Sequence, residues 1–168
     1  MIKILKFPIL LTLILCSPFF YAEGNHKIFN LGDFDLESGI TLPNAKLSYV
    51  THGKLNEEKN NLIVVPSAYL GDHHGFDFLI EQGKALDPDK YFIVATDMFQ
   101  NGLSSSPSNT APPFNGPNFP LISIRDNVNA GYKLVTEIFK VKKIKGVVGF
   151  SMGAQQAFQW GVSYPDFV

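Results

Sequence analysis

The sequence predicts a mostly parallel α/β sheet entered through antiparallel strands. Three observations carry this. Residues 62–65, 91–96 and 146–150 are continuous apolar runs, the pattern of strands buried on both faces. Segments of helical periodicity separate them. Upstream, residues 45–51 alternate instead, with Lys46, Ser48 and Val50 opposing Ala45, Leu47 and Tyr49.

Taken in order, residues 34–40 are expected to pair with 45–51 across a turn at Leu42-Pro43-Asn44. The 62–65 strand follows Asn60-Asn61, and residues 76–86 read as a weakly periodic helix. The turn Asp87-Pro88-Asp89 leads into the 91–96 strand. From 98 to 120 the composition shifts to Asn, Gly, Ser and Pro, and so long an irregular segment in a domain is functional or disordered. Ser123-Ile124-Arg125-Asp126 has the spacing of a capping box, and Val128, Tyr132, Val135 and Phe139 then form one apolar helical stripe. A strand over 146–150 and a helix over 154–163 complete the reading, with Trp160 assigned to core packing. A further strand is expected after Tyr164-Pro165-Asp166, so the architecture reads as cut short.

The 168 residues suit one domain, and 45% apolar against 17% charged residues exclude a disordered polymer or a collagen-like repeat. A nucleic-acid surface is excluded as well. Arg125 is the single arginine, and the run Lys140, Lys142, Lys143 and Lys145 reads as a solvated helix end. Residues 1–22 have the pattern of a secretory signal peptide: Lys3 and Lys6, an uncharged apolar run over 7–16, and Ala22 before a cut at Glu23. The run is too short, and too broken by Pro8 and Pro18, to span a bilayer. Cys16 raises a lipoprotein alternative, which the bulky Leu15 disfavours. Cleavage would leave a domain over 23–168, free of cysteine, with 12 basic against 15 acidic residues. That removes disulfide, thiolate-metal and catalytic-cysteine chemistry. The expected location is periplasmic or secreted if the signal is used, and cytoplasmic otherwise.

Gly149-Phe150-Ser151-Met152-Gly153 is a G-x-S-x-G sequence between an apolar strand and a helix, the context of a nucleophile elbow. Glycines permit the tight turn, the turn lifts the Ser151 hydroxyl above the sheet, and the helix N-terminus favours developing negative charge. An oxyanion hole would take one backbone N–H from Met152 and another from the loop after the 62–65 strand, with Tyr69 the best candidate and Ala68 next. Ser151 still needs a base, and the expected chain order is Ser, acid, His. Asp166 is the one acid after Ser151, and His26, His52, His73 and His74 all lie upstream. Asp97 follows a strand but precedes the serine, against that order. Asp72-His73-His74 reads as a solvated loop, not a metal site, and Ser104-Ser105-Ser106 as loop. No cofactor or metal is expected.

These residues resemble the homoserine O-acetyltransferase group of the α/β-hydrolase superfamily. The matching stretches are Leu36-Glu37-Ser38-Gly39; Tyr49, Thr51, Gly53 and Leu55-Asn56; Ala85-Leu86-Asp87 with Lys90-Tyr91-Phe92; Phe119-Pro120 through Ile124-Arg125-Asp126; the elbow; and Tyr164-Pro165-Asp166. The resemblance implies an α/β-hydrolase fold truncated after the elbow helix. It implies that Ser151 takes an acyl group from a CoA thioester and passes it to an amino-acid hydroxyl, with Tyr69 and Met152 as oxyanion donors. The family's acid, histidine and substrate-binding arginine lie in the part not present here. The chain departs from the family at Ser151-Met152-Gly153-Ala154-Gln155 (usually Ser-Met-Gly-Gly-Met), at Ser67-Ala68-Tyr69 (usually His-Ala-Leu) and in the loop 99–107. These departures look like a divergent, hydrolase-like branch. Acyl-CoA is cytosolic, so export would favour an ester donor and water or an extracellular alcohol as acceptor.

Two functional readings follow. The first is a serine acyltransferase or ester hydrolase acting on a small acyl ester or acyl-CoA. The second is a truncated, inactive remnant without the triad acid and histidine. The isolated chain is expected to be insoluble or molten, and inert towards activated esters, because residues 147–150 would form an apolar open edge.

Overall fold

The computed structural model describes residues 26–168. The signal-peptide reading of residues 1–22 therefore lies outside the described residues. Five strands form one sheet in the order β1-β2-β4-β3-β5. β1 (Lys27–Asp35) and β2 (Thr41–His52) form an antiparallel hairpin, and β2 pairs antiparallel with β4 (Phe92–Thr96). β3 (Leu62–Pro66) lies parallel to both β4 and β5 (Gly146–Val147). This is the mixed sheet that the sequence predicts.

Every residue of β3 and β4 is buried, as continuous apolar runs require. Alternate side chains serve the two faces. Leu62, Val64, Phe92 and Val94 pack with Val128, Leu134, Val135 and Trp160 beneath helices α1 (Ile124–Glu137) and α2 (Met152–Ser163). Ile63, Val65, Ile93 and Ala95 face Phe76 and Leu86 on the opposite side. Trp160 is core, as expected, and Gly131 lets its ring approach α1, since a Cβ there would sit 3.1 Å from Cζ2.

Three expectations are corrected. The hairpin turns at Leu36–Ile40, not at Leu42-Pro43-Asn44: Phe34 pairs with Leu42 and Asp35 with Thr41. Leu36 N–H donates to Ile40 O (2.9 Å) and Gly39, at φ +82°, closes the turn back onto Leu36 O. Pro43 and Asn44 fall instead in an irregularity of β2, where a residue without an N–H is tolerated. The helix expected over 76–86 is a single 3-10 turn at Asp77–Leu79. The Asp87 carboxylate captures the N–H groups of Gly83 and Asp89 (both 3.0 Å), and such local bonds compete with a helical ladder. Finally, β5 is shorter than residues 146–150. Lys145 N–H and Val148 N–H still bond Leu62 O and Val64 O, but the chain then leaves the sheet at Gly149.

β5 is the last strand of the sheet among the described residues, and Phe150 and Phe158 stand exposed near it. Among the described residues no helix is long and apolar enough to cross a membrane.

The capping box forms as the spacing predicts. Ser123 Oγ accepts from Asp126 N–H (3.1 Å), and Asp126 Oδ2 accepts from Ser123 N–H (2.8 Å). Asp126 does more, because its Oδ1 accepts from Glu37 N–H (2.8 Å) and ties the hairpin turn to α1. It is fully buried. Asp126→Ala is expected to lower stability by about 2–3 kcal/mol, since two backbone donors lose a charged acceptor. A shift of the urea midpoint with an unchanged slope would measure this.

Candidate functional site: a strained elbow beside a two-loop cavity

Ser151 occupies the N-cap position of α2 at φ 52°, ψ −123°, a strained conformation for a residue with a side chain. The neighbouring glycines make it possible. A Cβ on Gly149 would overlap the Gly153 carbonyl, and one on Gly153 would lie 2.6 Å from Pro66 O. The chain thus leaves β5, reverses over Gly149 and enters α2, which rests its first turn on the end of β3. Ser151 is exposed at the apex. Met152, the first residue of α2, carries an N–H with no partner within the helix, at the end where the helix dipole attracts negative charge.

Met152 and Gln155 line one side of a cavity of about 750 Å³. Tyr69, Leu70, Gly71 and Asp72 form a second wall, and Met98 to Asn101 with Leu103 a third. The start of α1, with Ser123, Ile124 and Asn127, contributes a fourth. The structure therefore brings two of the predicted site residues, Tyr69 and Met152, to one cavity, with Ser151 adjoining Met152. Leu70 (φ 61°) and Gln100 (φ 73°) share left-handed backbone with Ser151, so three strained positions meet at this site. Asp72 is the one charged side chain in the cavity wall among the described residues; no Lys or Arg lines it.

The walls are held by polar groups that replace regular structure. Ser67 N–H donates to Thr96 O (2.9 Å), its Oγ accepts from Met98 N–H (3.0 Å), and its carbonyl accepts from Gln156 Nε2 (2.9 Å). Asn127 Oδ1 accepts from Phe99 N–H (2.7 Å). Ser104 and Ser105 lie in a loop, as expected, yet are buried. Their hydroxyls accept from the N–H groups of Ser48 and Lys46 (2.9 Å each), stitching the loop to β2.

His73 corrects the reading of a solvated loop, being only 4% exposed. Its Nδ1 lies 2.8 Å from Asp97 Oδ2, and its N–H donates to Asp97 Oδ1 (2.8 Å). This pair was not legible in the sequence as a unit. Among the described residues no group of three or more His, Cys, Asp or Glu side chains could hold a metal ion.

A family model of the α/β hydrolase fold matches residues 61–168. The chain belongs to the α/β-hydrolase family. It is 44% identical over 153 residues to the ethyl acetate hydrolase of Pseudomonas veronii, covering 89% of this chain and 44% of that protein. It is 40% identical over 170 residues to the homoserine O-acetyltransferase of Leptospira biflexa, covering 89% and 44%. The solved acetylester hydrolase from Corynebacterium glutamicum superposes with a TM-score of 0.83 at 40% identity, over 86% of this chain and 42% of that one. The resemblance stated from the sequence therefore holds, and this α/β-hydrolase-family chain spans 44% of the length of these two curated relatives.

His52, at the end of β2, gives the stability of the fold a pH dependence. Burial pushes its imidazole below the ordinary value; Asp77 opposes this, and His74 and His73 add to it. The folded state thus disfavours the charged ring. As pH falls below about 6.5 the unfolded chain takes up the proton first, and stability drops until the lower folded value is passed. Urea midpoints at pH 7.5 and pH 5 are expected to differ less in His52→Asn than in the wild type.

Proposed function

We propose that Ser151 is the nucleophile of a serine acyl-transfer enzyme that cleaves small, uncharged acyl esters. The observation that carries this reading is the strained elbow geometry of Ser151 beside a cavity edged by Met152 and Tyr69. The Oγ attacks the ester carbonyl carbon, its proton passes to a base, and the alcohol leaves as the acyl–Oγ bond is completed. The N–H groups of Met152 and Tyr69 receive the oxyanion. Water, or another alcohol, then releases the acyl group from Ser151.

The chain order of hydrolase triads puts the acid and histidine after the serine, and the relatives extend well beyond the span matched here. The base is therefore assigned to that region. Hydrolysis is favoured over transfer from a CoA thioester because the charged side chain that the described residues place in the cavity wall is the acid Asp72, which repels phosphate groups. The hydrolase names of two relatives point the same way. An exported location, proposed from residues 1–22, would also deny the enzyme acyl-CoA.

The protein expressed from its own gene should hydrolyse p-nitrophenyl acetate in a Ser151-dependent way and ignore acetyl-CoA. Equal or faster consumption of acetyl-CoA would replace hydrolysis with transfer. Ester turnover undiminished in Ser151→Ala would remove the nucleophile assignment.

A further inference from the structure

The oxyanion loop is pinned at both ends to the tip of β4. At its start, Ser67 bonds Thr96 O and Met98 N–H. At its end, His73 is gripped by Asp97 through both its backbone N–H and its ring. Between these anchors Tyr69 and Leu70 are 67% and 91% exposed, so no packing of their own sets the height of that crown. The anchors set it.

Asp97 is fully buried and holds four donors. His73 N–H and Asn101 Nδ2 (3.0 Å) reach Oδ1; His73 Nδ1 and Ser48 Oγ (2.6 Å) reach Oδ2. Its own carbonyl accepts from Ser104 Oγ (2.7 Å). One carboxylate thus joins β2 and both loops that wall the cavity. Because the carboxylate offers lone pairs, His73 Nδ1 carries the proton of that bond. His73 Nε2 is buried and makes no hydrogen bond among the described residues, so the ring is not bonded to Ser151.

We propose that Asp97 and His73 are a positioning pair for the oxyanion loop, in which His73 serves as an anchor through Nδ1 and backbone N–H and carries no proton through Nε2. This rests on the assignment of Ser151 and Tyr69 above. Asp97 acts through His73, and the displacement of Tyr69 is what the reaction would feel. A donor misplaced by about 1 Å costs on the order of a hundredfold in rate.

The test uses the protein expressed from its own gene with Asp97→Asn, His73→Ala, His73→Asn and His73→Gln, assayed with p-nitrophenyl acetate and by amide hydrogen exchange over 67–75. An asparagine side chain places an N–H where Nδ1–H stood, whereas glutamine places its N–H nearer the Nε2 position. Asp97→Asn and His73→Ala are expected to lower kcat by about a hundredfold with little change in KM, and to speed exchange across the loop. His73→Asn should recover most of the kcat that His73→Ala loses and restore slow exchange; His73→Gln should recover neither. If His73→Asn is as inactive as His73→Ala while its loop exchanges like wild type, the ring carries a proton and the proposal fails. Wild-type exchange in Asp97→Asn and His73→Ala would also overturn it. Should Ser151→Ala retain ester turnover, the functional reading falls, and the exchange series alone still decides the anchor. Unmutated protein supplies a check independent of folding defects. A slowly exchanging Nδ1 proton of His73 must be visible by NMR, and its absence refutes the pair.

Discussion

Ser151→Ala is expected to reduce ester turnover by on the order of 10⁴-fold or more, because the group that forms the covalent bond is gone. The same change should leave stability within about 0.5 kcal/mol, since the Ser151 side chain is exposed and its hydroxyl caps no helical N–H. Ser151→Gly separates the two roles further. Glycine adopts φ 52° without the strain a side chain incurs, so this variant should be equally inactive yet more stable by about 1 kcal/mol. Equilibrium urea unfolding beside steady-state kinetics would show the opposed effects. A Ser151→Gly protein less stable than wild type would mean that the elbow is not strained as described.

Gly149→Ala carries the largest expected structural effect. The added Cβ would occupy the space of the Gly153 carbonyl, a backbone group that cannot rotate away. Relief requires α2 to lift from the end of β3. That movement would break the Gln156 to Ser67 bond and draw Trp160 from the core. A loss above about 4 kcal/mol is expected, a large share of the 5–15 kcal/mol typical of domains. Near-UV circular dichroism reports it directly, because Trp160 is the single tryptophan and stacks near Tyr132, Tyr164 and Phe167. A Gly149→Ala protein with a native spectrum and an unchanged urea midpoint would contradict the close approach.

The features legible in the sequence are those whose physics is local. β3 and β4 announce themselves because strands covered on both faces need unbroken apolar runs, and the capping box because its partners are three residues apart. The elbow was readable because its glycines, serine and flanking strand and helix are contiguous. Errors arose where two local signals competed. Pro43-Asn44 looks like the better turn, yet Gly39 closes the hairpin, in a register that buries Phe34, Leu42, Ala45 and Leu47 together. The segment 76–86 has apolar residues at helical intervals, but Asp87 claims the Gly83 N–H and Phe76 and Leu86 reach the sheet without a helix.

The candidate site divides along the same line. Ser151, Met152 and Tyr69 follow from a motif and its supporting loop. The bond between His73 and Asp97 joins residues 24 positions apart, through a carboxylate that also binds Ser48 and Asn101. No periodicity encodes it. The available hint was an acid placed directly after a buried strand, with a polar Ser48 on the neighbouring strand.

The central claim is covalent, and intact-mass spectrometry tests it most directly. The protein expressed from its own gene is mixed with p-nitrophenyl acetate, quenched in acid during turnover and mapped by peptide fragmentation. The account predicts one added acetyl group, located on Ser151 and absent from Ser151→Ala. An acetyl group on another residue of a protein that still turns over, or turnover at the wild-type rate in Ser151→Ala, would contradict it.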